Sequence, residues 1–336
     1  MTLQQLNWPE LFEPIMPALA QVENLLTRQA EAFAPEMVDY VQHALGGAGK
    51  RLRPSLALLS GGATGGIQQE HIILGVIVEL IHVATLVHDD ILDQAELRRG
   101  LATCNRRWGN EVSVLVGDCL FAHALRLAAT YQTNEVCRRV SEATNQVCTG
   151  EILQTQRRFD LALSVDDYLR IIGLKTGALF AVSCALGALL NGAAPDRVQA
   201  LYDYGNNLGI AYQIYDDCVD ILGQERQTGK SLGTDMKTGK LTLPLLLALQ
   251  HAAPADRQEW GAIMLRAGDA ERARLVEWIT GNGAMTGSLE RIDEHLAQAR
   301  QNLKAIPANA CSRTLATLTE YLAARSRSLL RPAVAA

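Results

Sequence analysis

Two acidic triplets with identical spacing are the residues most able to do chemistry in this sequence. In a helix, the first and third aspartates of each triplet lie one turn apart, so their carboxylates share a face. Each triplet follows an apolar helical stretch, where like charges need a cation to neutralise them. Carboxylates that leave room for water and phosphate oxygens favour Mg²⁺. The six residues are Asp89, Asp90, Asp93, Asp216, Asp217 and Asp220.

Each triplet taken alone is also compatible with an N-cap or an exposed acidic turn. A di-iron carboxylate bundle would use Glu ligands and a Glu-x-x-His motif on each of two helices, a pair that this sequence lacks. His82 lies seven residues before Asp89, and Gln213 lies three residues before Asp216, on the same helical faces as the carboxylates. This alignment favours site residues over the alternatives, which are a core histidine and a buried amide bonded to backbone.

Basic residues in three glycine-containing segments flank the triplets. The first segment is a glycine-rich turn that leads into a helix, a setting suited to phosphate. Each basic segment alone would be typical of a solvated loop, but together, beside two Mg²⁺ sites, they predict a diphosphate ligand. The net charge of -5 argues against nucleic acid. The residues are Lys50, Arg51, Arg53, Arg98, Arg99, Lys230 and Lys240.

The elements that position these residues are predicted to be helices in one all-α domain. None of the ten prolines lies between Pro54 and Pro195, and 48% of the residues are apolar. The acidic triplets fall in predicted helices 70–96 and 196–224, with further helices at 108–130, 134–158 and 165–191. The uncharged run at 176–195 contains Gly, Ser, Thr and Asn, which favours a core helix over a transmembrane segment.

Cysteine usage and the N-terminus predict a cytoplasmic protein. The seven cysteines form no C-x-x-C pair and no zinc spacing, as expected of thiols in a reducing compartment. The first 27 residues contain no Lys or Arg, so the positive region of a secretory signal is missing.

Seven motifs occur in the order found in trans-isoprenyl (polyprenyl) diphosphate synthases, and the chain resembles that family, most of all its bacterial medium- and long-chain members, over about 25–330. The resemblance implies an all-α isoprenoid synthase bundle around a central cavity, with residues 1–24 as an N-terminal extension, and a homodimer. The motifs are GKRLRP, HVATLVHDDILDQAELRRG, GDCLFA, GEILQ, LKTGALF, YQIYDDCVDI and GKSLGTDMKTGKLTLP.

The resemblance also implies roles for the site residues. The six aspartates would hold three Mg²⁺ on an allylic diphosphate, with Asp89, Asp93 and Asp216 as catalytic ligands. The residues matching isopentenyl diphosphate binders are Lys50, Arg53, His82 and Arg99. Those matching the allylic side are Arg98, Lys175, Thr176, Gln213, Lys230 and Lys240, of which Lys175, Thr176 and Gln213 are also catalytic candidates.

Two rival functions and the product length remain open. A class I terpene cyclase would replace the second triplet by an Asn/Ser/Glu triad, and a noncatalytic subunit would lose aspartates; all six are present. Small residues upstream of the first triplet, Ala84 and Thr85, with Ile81 deeper along the helix, leave room for a growing chain. This favours C30–C50 products, with geranylgeranyl diphosphate (C20) as the alternative if Phe121 closes the tunnel.

Overall fold

A computed structural model describes residues 8–47, 49–98, 100–222, 234–264 and 269–330. Within these ranges the protein is helical apart from loops and one two-stranded hairpin, which confirms the all-α prediction. The helices are α1 Trp8–Leu11, α2 Met16–Arg28, α3 Val38–Leu45, α4 Leu52–Thr64, α5 Gln69–Leu92, α6 Cys104–Ala128, α7 Glu135–Gln156, α8 Val165–Ile172, α9 Ala178–Leu189, α10 Pro195–Leu222, α11 Thr234–Lys237, α12 Leu243–His251, α13 Pro254–Met264, α14 Asp269–Gly281, α15 Ala284–Asn302 and α16 Ala310–Ser328.

The core is a bundle built on α5, α9 and α10. Helix α5 packs between α4 and α6, α9 packs on α4 and α10, and α15 and α16 cover α10 and α4. Glycines permit the closest approach: a Cβ at Gly205 of α10 would lie 2.6 Å from the carbonyl oxygen of Phe180 in α9. The helices that carry the acidic triplets, α5 and α10, are therefore held in place by close helix packing in the core.

Two helical segments are long and apolar enough to cross a membrane, Gln69–Leu92 and Val165–Leu189, but they are core helices. Their most apolar windows are 72% and 83% buried inside the structure, respectively. The second segment contains most of the uncharged run 176–195, which the sequence predicted to be a core helix. Its apolar side chains are buried by neighbouring helices.

Helix α5 ends at Leu92, earlier than the predicted end at residue 96, and Asp93 is its C-cap. The chain then enters a hairpin of β1 Leu97–Arg98 and β2 Leu101–Ala102, paired antiparallel. Asn105 ties the turn together by donating to the carbonyl oxygens of Asp90 and Ala95 at 3.3 and 3.2 Å. These contacts between distant residues, rather than local helix propensity, decide where α5 stops.

The predicted helix 165–191 is interrupted. A π-helical turn at Gly173–Gly177 separates α8 from α9. Neighbouring backbones approach this turn closely, because a Cβ at Gly150 of α7 would lie 2.6 Å from the backbone nitrogen of Lys175. Single π turns in helices often occur at functional sites.

The N-terminal helices pack on the bundle. The predicted boundary at residue 24 falls inside α2, where Val22 is fully buried. A Cβ at Gly75 of α5 would lie 2.9 Å from a methyl of Val22, so the two helices are in close contact. Phe12 and Ile15 are buried as well. The division into an extension and a domain stays a prediction, but α2 is a structural part of the core.

Candidate active site

The first acidic triplet lies at the end of α5, where each carboxylate has a cationic neighbour. Asp90 is buried and accepts from the Arg98 guanidinium at 2.6 Å. Asp93 accepts from Arg158 at 3.0 Å and from Lys240 Nζ at 2.6 Å. Asp89 lies 3.8 Å from Lys175 Nζ. The negative charge that the sequence predicted to need cations is balanced here by lysine and arginine side chains.

Lys175 lies on the π-helical turn and is surrounded by oxygen atoms. It pairs with Glu151 and donates to Gln154 Oε1 at 2.9 Å, both residues being on α7. Burial raises the pKa of Asp89 to about 6, with the Lys175 charge opposing and the Glu151 charge adding to the rise. Burial, rather than a lack of cations, is therefore the main cause of the raised pKa of Asp89.

The second triplet lies near the end of α10, and Asp217 is the buried member. The Tyr168 hydroxyl donates to Asp217 Oδ2 at 2.6 Å, and the Gln213 amide nitrogen donates to Oδ1 at 2.8 Å. Gln213 in turn accepts from the Thr176 hydroxyl at 2.7 Å. Burial, then the charge of Asp235, raise the pKa of Asp217 well above its usual range.

Lys240 connects the two triplets. Besides its bond to Asp93, its Nζ lies 3.9 Å from Asp235, and the backbone nitrogen of Asp235 donates to Asp220 Oδ2 at 3.4 Å. Burial, followed by the Asp220 charge, raises the pKa of Asp235 to about 7. One ammonium group thus stands between the end of α5 and the end of α10, the place where an anion with its metal ions would bind.

The carboxylates suit Mg²⁺ as a shared ligand with phosphate. The atoms that would bind the metal are all carboxylate oxygens, which are hard ligands. Burial and neighbouring negative charges raise the pKa values of Asp89 and Asp235, so a bound cation would favour their ionised forms. Among the described residues no three acidic, His or Cys side chains form a preformed cation cage. Mg²⁺ is normally bound by one or two carboxylates together with substrate phosphates, so this arrangement fits it.

The predicted isopentenyl diphosphate side holds its cations over aromatic rings. Lys50 Nζ lies 6.0 Å from the Tyr212 ring centre, and the Arg53 guanidinium lies 4.9 Å from that of Phe180. Arg51, which the sequence pattern groups with them, is turned away: its guanidinium is buried between carboxylates of other helices. Two predicted site residues, Arg99 and Lys230, lie outside the described residues.

The predicted chain-length residues lie on α5 upstream of Asp89. Ala84 and Ile81 are buried, at 0% and 1% exposure. The Thr85 hydroxyl donates to the carbonyl oxygen of His82 at 2.7 Å, so its polar group is satisfied within its own helix. The ring of Phe121 in α6 lies beside that of His88, tilted by 52°, with ring centres 5.8 Å apart.

Several residues of the site are not identified by sequence reasoning. Glu151 and Gln154 belong to the GEILQ motif, and their three-residue spacing, which places both on one helical face, is an available signal. Asp235 stands out in the sequence only through the lysines that flank it. Arg158 and Tyr168 give no local signal, since their partners are 65 and 49 residues away.

Comparisons with known proteins show which family the chain resembles. The polyprenyl synthetase family model matches residues 34–279. Octaprenyl diphosphate synthase of Escherichia coli is 34% identical over 286 residues, covering 85% of this chain and 88% of its own. A decaprenyl diphosphate synthase structure from Rhodobacter capsulatus has a TM-score of 0.89 at 34% identity, covering 96% of this chain and 100% of its own.

A second structure, a polyprenyl synthase from Caulobacter crescentus CB15 complexed with calcium and isoprenyl diphosphate, has a TM-score of 0.90 at 34% identity. It covers 94% of this chain and 97% of its own. The family model spans most of the chain, including both triplets. The chain therefore belongs to the polyprenyl synthetase family, a family of prenyltransferases.

Proposed function

We propose that the protein condenses isopentenyl diphosphate with an allylic diphosphate, head to tail and in the trans configuration, to make a polyprenyl diphosphate of C30–C50. The observation that carries the proposal is the position of Lys240, which pairs with Asp93 of the first triplet and lies 3.9 Å from Asp235. The backbone nitrogen of Asp235 in turn donates to Asp220 of the second triplet. A site of buried carboxylates bridged by an ammonium group is suited to a diphosphate that arrives with Mg²⁺. We further propose three Mg²⁺ per site.

In the proposed reaction, Lys175, Lys240 and Arg98 bind the allylic diphosphate while the aspartates hold the metal ions. Bound Mg²⁺ supplies charge stabilisation for the leaving diphosphate. The bond between C1 of the allylic substrate and its diphosphate oxygen breaks, and the electron pair leaves with the diphosphate. The C3–C4 double bond of isopentenyl diphosphate then attacks C1 of the allylic cation, which forms a bond between that C1 and C4. The proton lost from C2 of the isopentenyl unit passes to an oxygen of the departing diphosphate.

Thr176 and Gln213 would flank the allylic cation. The hydrogen bonds from Thr176 to Gln213 and from Gln213 to Asp217 fix the amide with its oxygen toward Thr176 and its nitrogen toward Asp217. In this proposal the oxygen atoms of Thr176 and Gln213 stabilise the developing positive charge, next to a carboxylate that would bind metal. Lys50, Arg53, His82 and Arg99 would hold isopentenyl diphosphate.

A long product is supported by the small, buried Ala84 on α5 and by the absence of Phe, Tyr and Trp from residues 71–98. Each added unit buries apolar carbon at about 0.8 kcal/mol per methylene, so elongation continues until a side chain obstructs it. The C20 alternative would require a facing residue such as Phe121 to close the tunnel early.

A cytoplasmic homodimer is part of the proposal. The seven cysteines are all free thiols, which fits a reducing compartment. Helix α6 exposes Val114 and Leu115 to 42% and 61%, an apolar surface suited to a second copy of the chain. Sedimentation of the purified protein tests the dimer directly.

Product analysis tests the function. Purified protein is incubated with Mg²⁺, labelled isopentenyl diphosphate and each allylic primer in turn, and the products are separated by chain length. We expect C30–C50 products that require both substrates. A cyclised hydrocarbon would indicate a terpene cyclase, products ending at C20 would support the alternative, and no product from any primer would contradict the assignment.

A further inference from the structure

Arg51 lies between two cations assigned to isopentenyl diphosphate, Lys50 and Arg53, yet it faces a different part of the molecule. Lys50 and Arg53 extend toward Tyr212 of α10 and Phe180 of α9. The Arg51 side chain instead reaches α2 and α5 and is 9% exposed. Its guanidinium is therefore occupied by protein carboxylates rather than open to a phosphate.

The Arg51 backbone adopts the left-handed conformation, with φ +47° and ψ +39°. Residues other than Gly, Asn and Asp rarely take this conformation. This residue is also the N-cap of α4. Its carbonyl oxygen accepts from the Ser55 backbone nitrogen at 3.0 Å and from the Ser55 hydroxyl at 2.8 Å. A strained residue thus sets the direction in which the chain passes from Lys50 to Arg53, so surrounding contacts must hold it.

Those contacts are two ion pairs, of which the one to Glu79 is buried and the one to Glu23 is partly exposed. Arg51 Nε donates to Glu23 Oε1 at 2.5 Å and Nη2 donates to Glu23 Oε2 at 3.2 Å, a two-pronged arrangement that fixes the guanidinium plane. Nη1 donates to Glu79 Oε1 at 2.7 Å, and Glu79 is only 2% exposed. The guanidinium is therefore clamped from α2 on one side and from α5 on the other.

The position of Glu79 connects this clamp to the substrate side. It lies three residues before His82 on α5, about one helical turn away. Glu23 lies on α2, outside the region 34–279 that the family model matches. The clamp therefore joins the segment of Lys50 and Arg53 to two helices. Glu79 links it to α5, which carries His82, and Glu23 links it to α2 near the N-terminus.

We propose that Glu23, Arg51 and Glu79 are positioning residues that set the geometry of the isopentenyl diphosphate cations, an inference that rests on the proposed function. Arg51 itself contacts no substrate. By holding a left-handed turn between Lys50 and Arg53, the clamp keeps both cations aimed at one diphosphate. Weakening it should reduce isopentenyl diphosphate binding and leave the allylic side intact.

The test compares Glu79→Gln and Glu23→Gln with wild type by calorimetric titration with isopentenyl diphosphate and by KM for each substrate. We expect Glu79→Gln to raise the dissociation constant and KM for isopentenyl diphosphate about tenfold, because it removes the buried negative charge that holds the Arg51 guanidinium. Glu23 is 43% exposed, so Glu23→Gln should have a smaller effect, about threefold. The allylic KM should stay unchanged in both variants.

His71→Gln is the matched control for lost stability. His71 is a fully buried polar residue of the same helix, bonded to the carbonyl oxygen of Gly187 at 3.0 Å, far along α5 from Glu79. Thermal unfolding should show that it lowers Tm, while both KM values stay at wild-type levels. Arg51→Lys, which keeps the charge but loses the planar fork, should fall between wild type and Arg51→Ala in isopentenyl diphosphate binding.

Equal changes in both KM values, or unchanged isopentenyl diphosphate binding in Glu79→Gln, would overturn the positioning role. So would a His71→Gln variant with the same selective loss. A wild type that binds isopentenyl diphosphate without condensing it would refute the proposed function, and the dissociation constants of the variants would still decide the role of the clamp. A wild type that does not bind it would overturn both.

Discussion

The two acidic triplets have the same sequence spacing but different surroundings. At the end of α5, Asp90 and Asp93 form ion pairs with Arg98, Arg158 and Lys240. At the end of α10, the buried Asp217 accepts hydrogen bonds from two neutral donors, Tyr168 and Gln213. Asp90 and Asp93 of the first triplet are thus balanced by charge, whereas Asp217 of the second is oriented by dipoles.

This difference separates two ways to prepare a carboxylate for a metal ion. A lysine or arginine beside a carboxylate competes with Mg²⁺ for that carboxylate. When Mg²⁺ and phosphate bind, the side chain must move away from the carboxylate or bind the phosphate instead. A neutral donor orients the carboxylate without cancelling its charge, as outer-shell partners of metal ligands commonly do. This contrast predicts that Asp90 and Asp93 exchange partners when a diphosphate binds, whereas Asp217 keeps its partners.

The largest effect should come from removing a proposed metal ligand from either triplet. Asp89→Ala and Asp216→Ala should each lower kcat/KM by about 10³-fold or more, because metal binding supplies several kcal/mol of charge stabilisation. Asp39→Ala, at an exposed position on α3, is the control. Steady-state kinetics with and without chelator measure this; near-normal turnover in either variant, or activity that survives chelation, would contradict the metal site.

Substitution of the partners should separate the two triplets. Tyr168→Phe removes a donor from Asp217 and should raise the Mg²⁺ concentration needed for half-maximal rate about tenfold. Arg158→Gln removes a competing cation from Asp93 and should lower that concentration about twofold. Metal titrations of activity measure both. If the two variants shift the midpoint in the same direction, the contrast between the triplets is wrong.

Arg98 and Arg99 are expected to serve different substrates. Arg98→Ala should raise the KM for the allylic primer about tenfold, because a hydrogen bond to a charged group is lost beside the first triplet. Arg99→Ala should act chiefly on the KM for isopentenyl diphosphate. Arg138→Ala, which removes an exposed ion pair on α7, controls for loss of a surface charge. Equal effects of Arg98→Ala and Arg99→Ala on both substrates would refute this division.

The smallest effect on rate should accompany a change in product. Ala84 and Ala211 each lie five residues before the first aspartate of a triplet, and both are fully buried. Ala84→Tyr should shift products toward C15–C20 with little loss of the first condensation, whereas Ala211→Tyr should leave product length unchanged. Chromatography of the products measures their chain length. The Tm of each variant is also recorded, because overpacking a core lowers the free energy of unfolding by about 1–3 kcal/mol. Unchanged products in Ala84→Tyr would refute the tunnel assignment.

The helices and the family could be predicted because their signals are local. The proline-free stretch and the composition predicted an all-α fold, and the ordered motifs predicted the polyprenyl synthase family; both are confirmed. The roles of individual site residues stay predictions. Helix ends were less certain: α5 stops at Leu92 because Asn105 and the hairpin hold the following turn, a contact that local propensity does not encode.

What the sequence determined by itself was an inventory: two carboxylate triplets, the cations to accompany them and the helices that carry them. Only the tertiary structure decided which cation meets which carboxylate. Lys240 bonds to Asp93, which is 147 residues away in sequence. Arg51, which the sequence pattern grouped with Lys50 and Arg53, instead pairs with Glu23 and Glu79, each 28 residues away. Spacing fixes faces only within one helix; the packing of different helices fixes distances between them.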